Sequence, residues 1–350
     1  MPDSDKIPLA GIPPEELPGL LGSLPPYRCG QIHKWLCRGA SSFEGMTDLP
    51  EPLRAELENR FTLRSCAVSA RQEDHDGTVK LQLTLTDGIR IEAVVLTDVE
   101  GRKTACLSTQ AGCPAGCLFC KTGSLGFERN LSAAEIVEQF LRIREADGDI
   151  ANIVFMGMGE PLLNLGEVRR ALGIFTNPRG FALSGRRITL STSGITEGIR
   201  DLAENGPGVR LALSLTTADG RLREELMPIS RSNPLPALRE ALVLHQRKWG
   251  RRITLEVVLL GGINTRPADV AAIAAFAEGL DAVVNLIPWN PVAGMTFRGV
   301  ALGEPSSREL RDVAGGLERR GLKVTRRFRR GRSISGACGQ LGVLQVTDNR

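Results

Sequence analysis

Six short apolar stretches alternate with six amphipathic stretches between residues 104 and 320, and this alternation strongly constrains the fold. The apolar stretches predict strands at 104–109, 152–156, 187–191, 210–215, 252–259 and 283–287. The amphipathic stretches predict helices at 132–146, 165–175, 195–204, 234–248, 267–278 and 306–320. Serial β/α units build a parallel sheet, and six units are short of the eight that close a barrel. The pattern therefore predicts an α/β fold with a partial barrel, followed by one more strand near 322–325.

Length and composition limit the class of protein. The chain has 350 residues, enough for one large domain with an appendage. Apolar residues make up 42% and charged residues 24%, which excludes disordered, collagen-like and coiled-coil chains. The net charge of +4 is too small to indicate nucleic-acid binding without local clustering. No apolar run approaches the roughly 18 residues of a membrane span, and the first twenty residues lack a secretory signal, so we expect a cytoplasmic protein without a membrane partner.

The chain divides into five predicted segments. Residues 1–24, rich in proline and leucine, are expected to form a loosely ordered lead-in. Residues 25–78 predict a small helical accessory domain, expected to bind RNA, with one helix near Trp35 and two short ones between Phe43 and Leu57. Period-two alternation on both sides of a Thr-Asp-Gly turn predicts a β-hairpin connector at 79–98. Residues 99–335 then form the core barrel and 336–350 a C-terminal tail.

Polar and glycine-rich segments follow five of the six predicted strands. In barrels built from parallel strands, the chemistry gathers in the loops after the carboxyl ends of the strands. These segments lie at 113–120, 157–161, 191–194, 214–217 and 288–291. We therefore expect a single site at one end of the barrel.

Three of the eight cysteines crowd into eight residues, with C-x3-C-x2-C spacing at Cys113, Cys117 and Cys120. In a long chain without a signal, such a cluster indicates metal binding or catalysis rather than a disulfide scaffold. A structural zinc site normally takes four ligands. A [4Fe–4S] cluster held by three thiolates leaves one iron open to a small molecule, and the spacing favours this reading. Zinc with a distant fourth ligand, such as His75 or Cys106, is the alternative.

The cysteine signature, with Phe119 before its last cysteine, resembles that of the radical S-adenosylmethionine (radical SAM) superfamily. The sequence segments around it resemble, more narrowly, those of the RlmN and Cfr family of RNA methyltransferases. The matching segments run in order along the chain, at 27–35, 46–50, 105–113, 126–131, 157–164, 190–194, 285–291 and 336–341. The resemblance implies a partial (β/α)6 radical SAM barrel. It also implies one [4Fe–4S] cluster per chain on Cys113, Cys117 and Cys120, and two molecules of S-adenosylmethionine (SAM) per turnover.

The family methylates an unreactive sp2 carbon of adenine, at C2 in the RlmN branch and at C8 in the Cfr branch. An aromatic C–H is no nucleophile, so polar methyl transfer fails and a radical route is required. Spacing does not separate C2 from C8, and the commoner RlmN branch favours C2. The resemblance implies an adenosine of 23S rRNA as substrate, the adenosine 3′ of the tRNA anticodon as a second candidate, and a one-electron reductant such as flavodoxin.

Two cysteines outside the cluster signature acquire roles through the resemblance. Cys338 would accept a methyl group from a first SAM. A 5′-deoxyadenosyl radical from a second SAM would take hydrogen from that methyl, and the resulting methylene radical would add to the adenine. The thiolate of Cys106 would then attack the sulfur of Cys338, forming a disulfide and freeing the methylated base. Glu92 aligns with the family's proton acceptor, although a glutamate in an alternating strand usually faces outward.

The remaining implied contacts are to SAM. Gly159 and Glu160 resemble the contacts to its amino group, which a carboxylate suits. The other contacts, to its ribose, carboxylate and adenine, resemble Ser191, Ser214, Leu215, Thr216 and Asn290. Taken singly, each of these residues is typical of a strand-end cap or turn. Thr216 stands where the family usually has His, so only a backbone contact would survive there.

A basic stripe near the C-terminus indicates RNA binding. Between residues 319 and 332 there are eight basic residues and no acidic one: Arg319, Arg320, Lys323, Arg326, Arg327, Arg329, Arg330 and Arg332. Such a stripe suits phosphate neutralisation, and a solvated strand edge is the alternative. Family members often carry Asp near position 332 or 333, where this chain has Arg332 and Ser333. Three rival functions stay open: a C8 methyltransferase, a non-catalytic zinc or iron–sulfur RNA-binding module, and a radical SAM enzyme with another RNA substrate.

Overall fold

The structure is a computed structural model that describes residues 6–22, 24–326 and 330–342. Its strands are β1 (Ile7–Pro8), β2 (Phe61–Thr62), β3 (Cys66–Glu73), β4 (Val79–Leu85), β5 (Arg90–Thr97), β6 (Lys103–Cys106), β7 (Gln110–Gly112), β8 (Phe127–Asn130), β9 (Asn152–Phe155), β10 (Ile188–Thr192), β11 (Arg210–Ser214), β12 (Ile253–Leu259), β13 (Ala282–Pro288), β14 (Thr296–Phe297), β15 (Val300–Ala301) and β16 (Lys323–Arg326). Its helices are α1 (Leu17–Leu21), α2 (Pro26–Cys37), α3 (Glu51–Arg60), α4 (Lys121–Ser124), α5 (Ala133–Asp147), α6 (Leu165–Thr176), α7 (Thr196–Asn205), α8 (Gly220–Leu226), α9 (Leu235–Trp249), α10 (Pro267–Ala277) and α11 (Ser307–Glu318).

A ten-stranded sheet organises the molecule, in the order β16-β13-β12-β11-β10-β9-β6-β5-β4-β3. The strands from β6 to β16 in this sheet pair in parallel, and helices α5, α6, α7, α9, α10 and α11 connect them. The predicted α/β fold with a partial (β/α)6 barrel is confirmed, since among the described residues β16 and β3 are the sheet's two edges. The first strand is shorter than predicted, because after Cys106 the chain leaves the sheet to form the separate hairpin β7–β8.

The predicted hairpin is present as β4 and β5, which pair antiparallel. It continues the barrel sheet, because β5 pairs antiparallel with β6. Strand β3, which the sequence analysis placed in a helical segment, adds to the other side of β4. Its side chains are mostly exposed, so it lacks the apolar alternation that marks a strand. The domain boundaries themselves stay a prediction.

The lead-in departs from expectation. Residues 1–5 and 23 lie outside the described part, but residues 6–22 are folded, and the expectation of loose order is wrong for them. β1 pairs in parallel with β2, and Leu9 and Leu17 are fully buried. These segments are ordered by packing against the barrel's helices rather than by a period of their own. The stretch from Phe43 to Leu49 is a loop that buries only Phe43, Met46 and Leu49, so one helix, α3, replaces the two expected there.

One apolar core runs from Leu9 to Leu341 and joins the N-terminal segments to the barrel. A smaller cluster, which includes Phe119, Leu226 and Trp289, packs behind the cysteine loop. In the described ranges, none of the helices combines the length and the apolar character of a membrane span.

Candidate active site

The loops after the carboxyl ends of the parallel strands surround an open cavity of about 1020 Å³, which we call the mouth. Nine of the predicted site residues line it: Cys113, Cys117, Cys120, Gly159, Glu160, Ser191, Ser214, Asn290 and Cys338. Leu215 and Thr216 are fully buried and are not part of its lining. The structure therefore brings segments from five strand ends and the C-terminal tail to one place, as the strand pattern requires.

The cysteine loop is fixed at both of its ends. Gly112, before the first cysteine, has a φ of +72°, and a Cβ there would collide with the Gly126 carbonyl. Only glycine allows this close approach, in which Cys113 N donates to Gly126 O at 2.7 Å. At the other end, Trp289 Nε1 donates to Phe119 O at 2.9 Å, which ties the loop to the end of β13.

Burial raises the pKa of the Cys113 thiol to about 12 and also raises the pKa values of Cys117 and Cys120. Three half-buried thiolates become favourable when bound iron compensates their charge. In residues 6–22, 24–326 and 330–342, no three His, Cys, Asp or Glu side chains are arranged to hold one metal ion. His75, the suggested fourth zinc ligand, is exposed in the β3–β4 turn. Three thiols around one cavity fit a polynuclear cluster, in which each thiolate binds its own iron.

Glu160 is held rigidly beside the cysteines. Its Oε2 accepts hydrogen bonds from Ser193 N at 2.6 Å and Ser193 Oγ at 2.7 Å, and its Oε1 accepts from Leu162 N at 3.1 Å. Burial nevertheless raises the pKa of this carboxyl. An ammonium group bound in the mouth would therefore form a favourable ion pair with a carboxylate that is already oriented.

Gly159 lets the backbone pass close to β7. Its φ is +102°, and a Cβ there would lie 2.6 Å from Gln110 Cβ. Gln110 Oε1 then accepts a hydrogen bond from Glu160 N at 2.7 Å. The glycine thereby sets the position of the carboxylate that follows it.

Arg223 is a site residue that the sequence analysis missed. Although it is only 1% exposed, its guanidinium donates to three backbone carbonyls, those of Ser193 (2.7 Å), Ser214 (3.1 Å) and Leu215. Burial lowers its pKa to about 10, while the Cys117 thiol acts in the opposite direction. It therefore joins the ends of β10 and β11 and places a positive charge next to the cysteine loop. Nothing in its sequence context separates it from the neighbouring arginines of α8.

Thr216 adopts a left-handed conformation with a φ of +58°. Its N donates to Glu256 O at 3.1 Å, and its carbonyl accepts from Asn264 Nδ2 at 2.8 Å. Its buried Oγ1 has no hydrogen-bond partner among the described residues. The departure from His thus falls on a residue behind the cavity wall, and its contribution to the mouth comes through the backbone.

A second cavity of about 590 Å³ contains both of the other predicted cysteines, Cys106 and Cys338. It shares several lining residues with the mouth: Met156, Ile287, Asn290, Cys338 and Leu341. Cys338 therefore lies between the cluster cysteines and Cys106. Cys106, at the end of β6, is buried, whereas Cys338 is exposed.

The segment 338–342 is fastened across the mouth. Asn290 Nδ2 donates to Cys338 O at 3.0 Å, and Lys121 N donates to Gly339 O at 2.8 Å. Thr122 Oγ1 donates to Leu341 O at 2.8 Å. Because Lys121 and Thr122 directly follow Cys120, the tail is attached to the cysteine loop itself.

Glu92 faces the interior rather than solvent, and its role as proton acceptor stays a prediction. It is buried, with Oε1 3.1 Å from Lys80 Nζ, and Oε2 accepts a hydrogen bond from Gly342 N at 2.5 Å. It lines neither cavity. Its contacts fix the end of the tail segment.

The basic stripe follows the edge of the sheet. Arg319, Arg320, Lys323 and Arg326 are exposed on or beside β16. Arg330 lines the second cavity and donates to Thr97 O, while Arg332 pairs with Glu304 at 2.8 Å. Arg327 and Arg329 lie outside the described residues, as do residues 343–350 of the predicted tail.

Comparisons with known proteins agree with this geometry. Residues 107–274 match the model of the Radical SAM superfamily. A solved structure of a radical SAM methyltransferase from Sphaerobacter thermophilus superposes with a TM-score of 0.89. It is 38% identical and covers 96% of this chain and 99% of its own. The [4Fe–4S] cluster and SAM are characteristic of this superfamily.

Two relatives match along nearly the whole chain. A Treponema denticola protein named probable dual-specificity RNA methyltransferase RlmN is 49% identical over 99% of this chain and 98% of its own length. A Thermus thermophilus protein of the same name is 44% identical over 96% of this chain and 93% of its own. Identity of this extent, together with the fold, shows that the chain belongs to the RlmN family of radical SAM RNA methyltransferases.

Proposed function

We propose that this protein methylates C2 of an adenosine in 23S rRNA, and also the adenosine 3′ of the anticodon in tRNA, through a methylated Cys338. The observation that carries the proposal is the position of Cys338, which lines both the mouth and the cavity of Cys106. A carrier thiol must meet a methyl donor on one side and a resolving thiol on the other. The substrate places the reaction in the cytoplasm.

Cys113, Cys117 and Cys120 would hold the [4Fe–4S] cluster, and Glu160 would orient the ammonium group of SAM. Gly159, Ser191, Ser214 and Asn290 line the same cavity and would contact the other groups of SAM, with Leu215 and Thr216 behind the wall. When bound, the cluster and SAM supply the 5′-deoxyadenosyl radical that an unreactive C–H requires. We assign two SAM molecules to each turnover and the electron to a one-electron reductant such as flavodoxin.

The two cysteines divide the covalent work. Exposed Cys338 can reach a base that enters from solvent, and its sulfur accepts the methyl group whose carbon is then joined to the adenine. The thiolate of Cys106 attacks the sulfur of Cys338, so that an S–S bond forms and the S–C bond to the product breaks. The electron pair of the S–C bond stays on the product carbon, which takes up a proton to become the methyl group. Lys80 and Gly342 already contact the carboxylate of Glu92. We therefore propose that Glu92 positions the tail rather than acting as the proton acceptor.

Two cysteine variants test this division. After anaerobic reconstitution with iron and sulfide, Cys338→Ala is expected to lose RNA methylation while SAM cleavage continues. Cys106→Ala is expected to accumulate a covalent protein–RNA adduct, because the step that releases the base is missing. Denaturing gels and mass spectrometry of the adenosines distinguish these outcomes. Cys37→Ala, at a buried cysteine outside both cavities, is the matched control.

Normal turnover by Cys106→Ala would contradict the two-cysteine scheme. Formation of 8-methyladenosine by the wild type would contradict the C2 assignment. A colourless protein that retains one tightly bound zinc would support the non-catalytic RNA-binding alternative instead.

A further inference from the structure

The end of the barrel opposite the mouth carries a group of arginines that the reaction does not use. Arg186 lies two residues before β10, and Arg210 is the first residue of β11. Arg251 and Arg252 directly precede β12. Because these strands are parallel, their amino ends share one edge, which we call the amino-terminal rim. A seven-residue strand such as β12 places this rim about 20 Å from the mouth at 3.3 Å per residue.

These four arginines surround a surface cavity of about 1030 Å³, together with Trp249 and Val283. None of the described residues that line it is acidic. Arg252 pairs with Asp281 at 2.8 Å, but within the described ranges no carboxylate pairs with the other three. Arg251 Nη1 is buried and has no hydrogen-bond partner among the described residues.

Like charges crowd at this position. Burial, followed by the positive charges of Arg186 and Arg210, lowers the pKa of Arg251. A buried donor without an acceptor is unfavourable, and so is a cation that faces two others. An anion in the cavity would relieve both costs.

Further basic side chains lie between the rim and the mouth. Val283 lines the rim cavity and pairs with Lys323 in the sheet. From Lys323 the exposed bases of the stripe follow β16 to Arg326, and Arg330 lies at the cavity of Cys106 and Cys338. A polyanion with regularly repeated charges can occupy both ends of such a path, which a single small anion cannot.

We propose that the amino-terminal rim is a second RNA contact, in which Arg186, Arg210, Arg251 and Arg252 bind backbone phosphates of the RNA whose target adenosine enters the mouth. The inference rests on the proposed function in that the substrate is RNA. Phosphate contacts carry no sequence information, so the rim selects for size. It favours a large folded RNA over a stem–loop too short to reach from the mouth to the rim.

The experiment compares two RNAs that contain the same target adenosine, a long 23S rRNA fragment and a short stem–loop. The variant Arg186→Gln with Arg210→Gln changes two exposed side chains. We expect the affinity advantage of the long RNA over the short one to fall about tenfold. The slope of log K against log salt for the long RNA should shrink by roughly 1.4 to 1.8, the value for two lost phosphate contacts.

The matched control is Arg200→Gln with Arg308→Gln, which removes a half-buried arginine from α7 and an exposed one from α11. It should keep the affinity ratio of the wild type. An unchanged ratio and salt slope in the rim variant would overturn the proposal. A second contrary result would be that inorganic pyrophosphate stabilises the wild type but not the rim variant, while the two proteins bind the long RNA equally well. That result would overturn the proposal and identify a small-anion site. If the wild type binds neither RNA, the proposed function itself fails.

Discussion

Arg223 shows how one side chain can organise several loops. Its guanidinium is planar, and its Nη1 and Nη2 donate to carbonyls at the ends of two neighbouring strands. The same two strand ends carry Ser191 and Ser214, which line the mouth. The position of these serines therefore depends on a residue that does not itself line the cavity.

Replacing Arg223 should weaken SAM binding without touching a lining residue. Arg223→Met leaves three buried carbonyls without their donor, at about 1–3 kcal/mol for each unsatisfied group. We expect its Kd for SAM to rise more than that of Arg223→Lys, which keeps the charge and one donor nitrogen with three N–H groups. Equilibrium dialysis with the reconstituted protein measures the Kd, and iron analysis checks that the cluster is retained.

The control for this prediction is Arg239→Met. Arg239 also donates to two backbone carbonyls, those of Phe276 and Glu278, but at the end of α10 and outside the mouth. A SAM affinity in Arg223→Met equal to that of Arg239→Met would show that Arg223 has no special part in shaping the mouth.

At the scale of residues, the sequence predicts a site best where several residues share one pattern. The three cluster cysteines are close in the chain, so their spacing alone indicates their chemistry. Arg223 and the buried state of Glu92 depend on contacts with distant segments, such as Gly342 against Glu92, that no local pattern encodes. At Thr216 the departure from the family's His indicates only that a backbone contact would survive, and the left-handed backbone there is a feature of the structure.

The first turn of α11 illustrates how a single element is fixed. Glu309 closes a capping box with Ser306 and also accepts hydrogen bonds from Thr265 Oγ1 at 2.6 Å and Gly262 N at 2.8 Å. The Thr265 hydroxyl, with the Ser306 and Gly262 backbone N–H groups, lowers the pKa of Glu309 to about 2. The helix start is thus attached to the loop after β12.

This element should give the protein an acid-dependent share of its stability. The folded pKa of Glu309, about 2, lies below its unfolded pKa of about 4.3. The stabilisation is therefore fully present above about pH 4.3 and is lost as the pH falls from there towards 2. The difference in free energy of unfolding between wild type and Glu309→Gln should therefore shrink between pH 5 and pH 3. Urea unfolding at several pH values measures it, with Glu318→Gln at the other end of α11 as control. A constant difference over that range would contradict the prediction.

Elements were predictable where they are long and half-buried. The six barrel helices and their strands have apolar periods that follow from burial on one side, and they occur within a few residues of their expected positions. Strand β3 was missed because its side chains are mostly exposed, and β1 because two residues cannot display a period. Their structure comes from pairing with neighbours.

At the scale of the whole molecule, one sheet and one apolar core unite the N-terminal segments with the barrel. The parallel strands, the hairpin and β3 form a continuous hydrogen-bonded sheet, and the core includes Leu9 as well as Leu341. Loss of either part would expose apolar surface of the other. The structure thus predicts a single cooperative unfolding unit.

Tryptophan fluorescence can test this, because Trp35 lies in α2 and Trp249 lies at the end of α9, on the rim. Two variants, each with one of these as its sole tryptophan and Phe at the other positions, should show the same urea midpoint. A transition of Trp35 at clearly lower urea would mean that the accessory segment unfolds by itself. Circular dichroism of both variants provides the control for overall stability.

The exposed edge of the sheet has a consequence for the protein before it meets any RNA. In the described residues β16 pairs only with β13, so its outer N–H and C=O groups are open to another strand. Lys323 and Arg326 lie at the two ends of this strand, with Arg319 and Arg320 just before it. Charged side chains on an edge strand oppose edge-to-edge aggregation. These basic side chains, which the sequence predicts to bind RNA, would thus also protect newly synthesised chains from self-association through this edge. Replacing them all with neutral residues would lower solubility as well as RNA affinity.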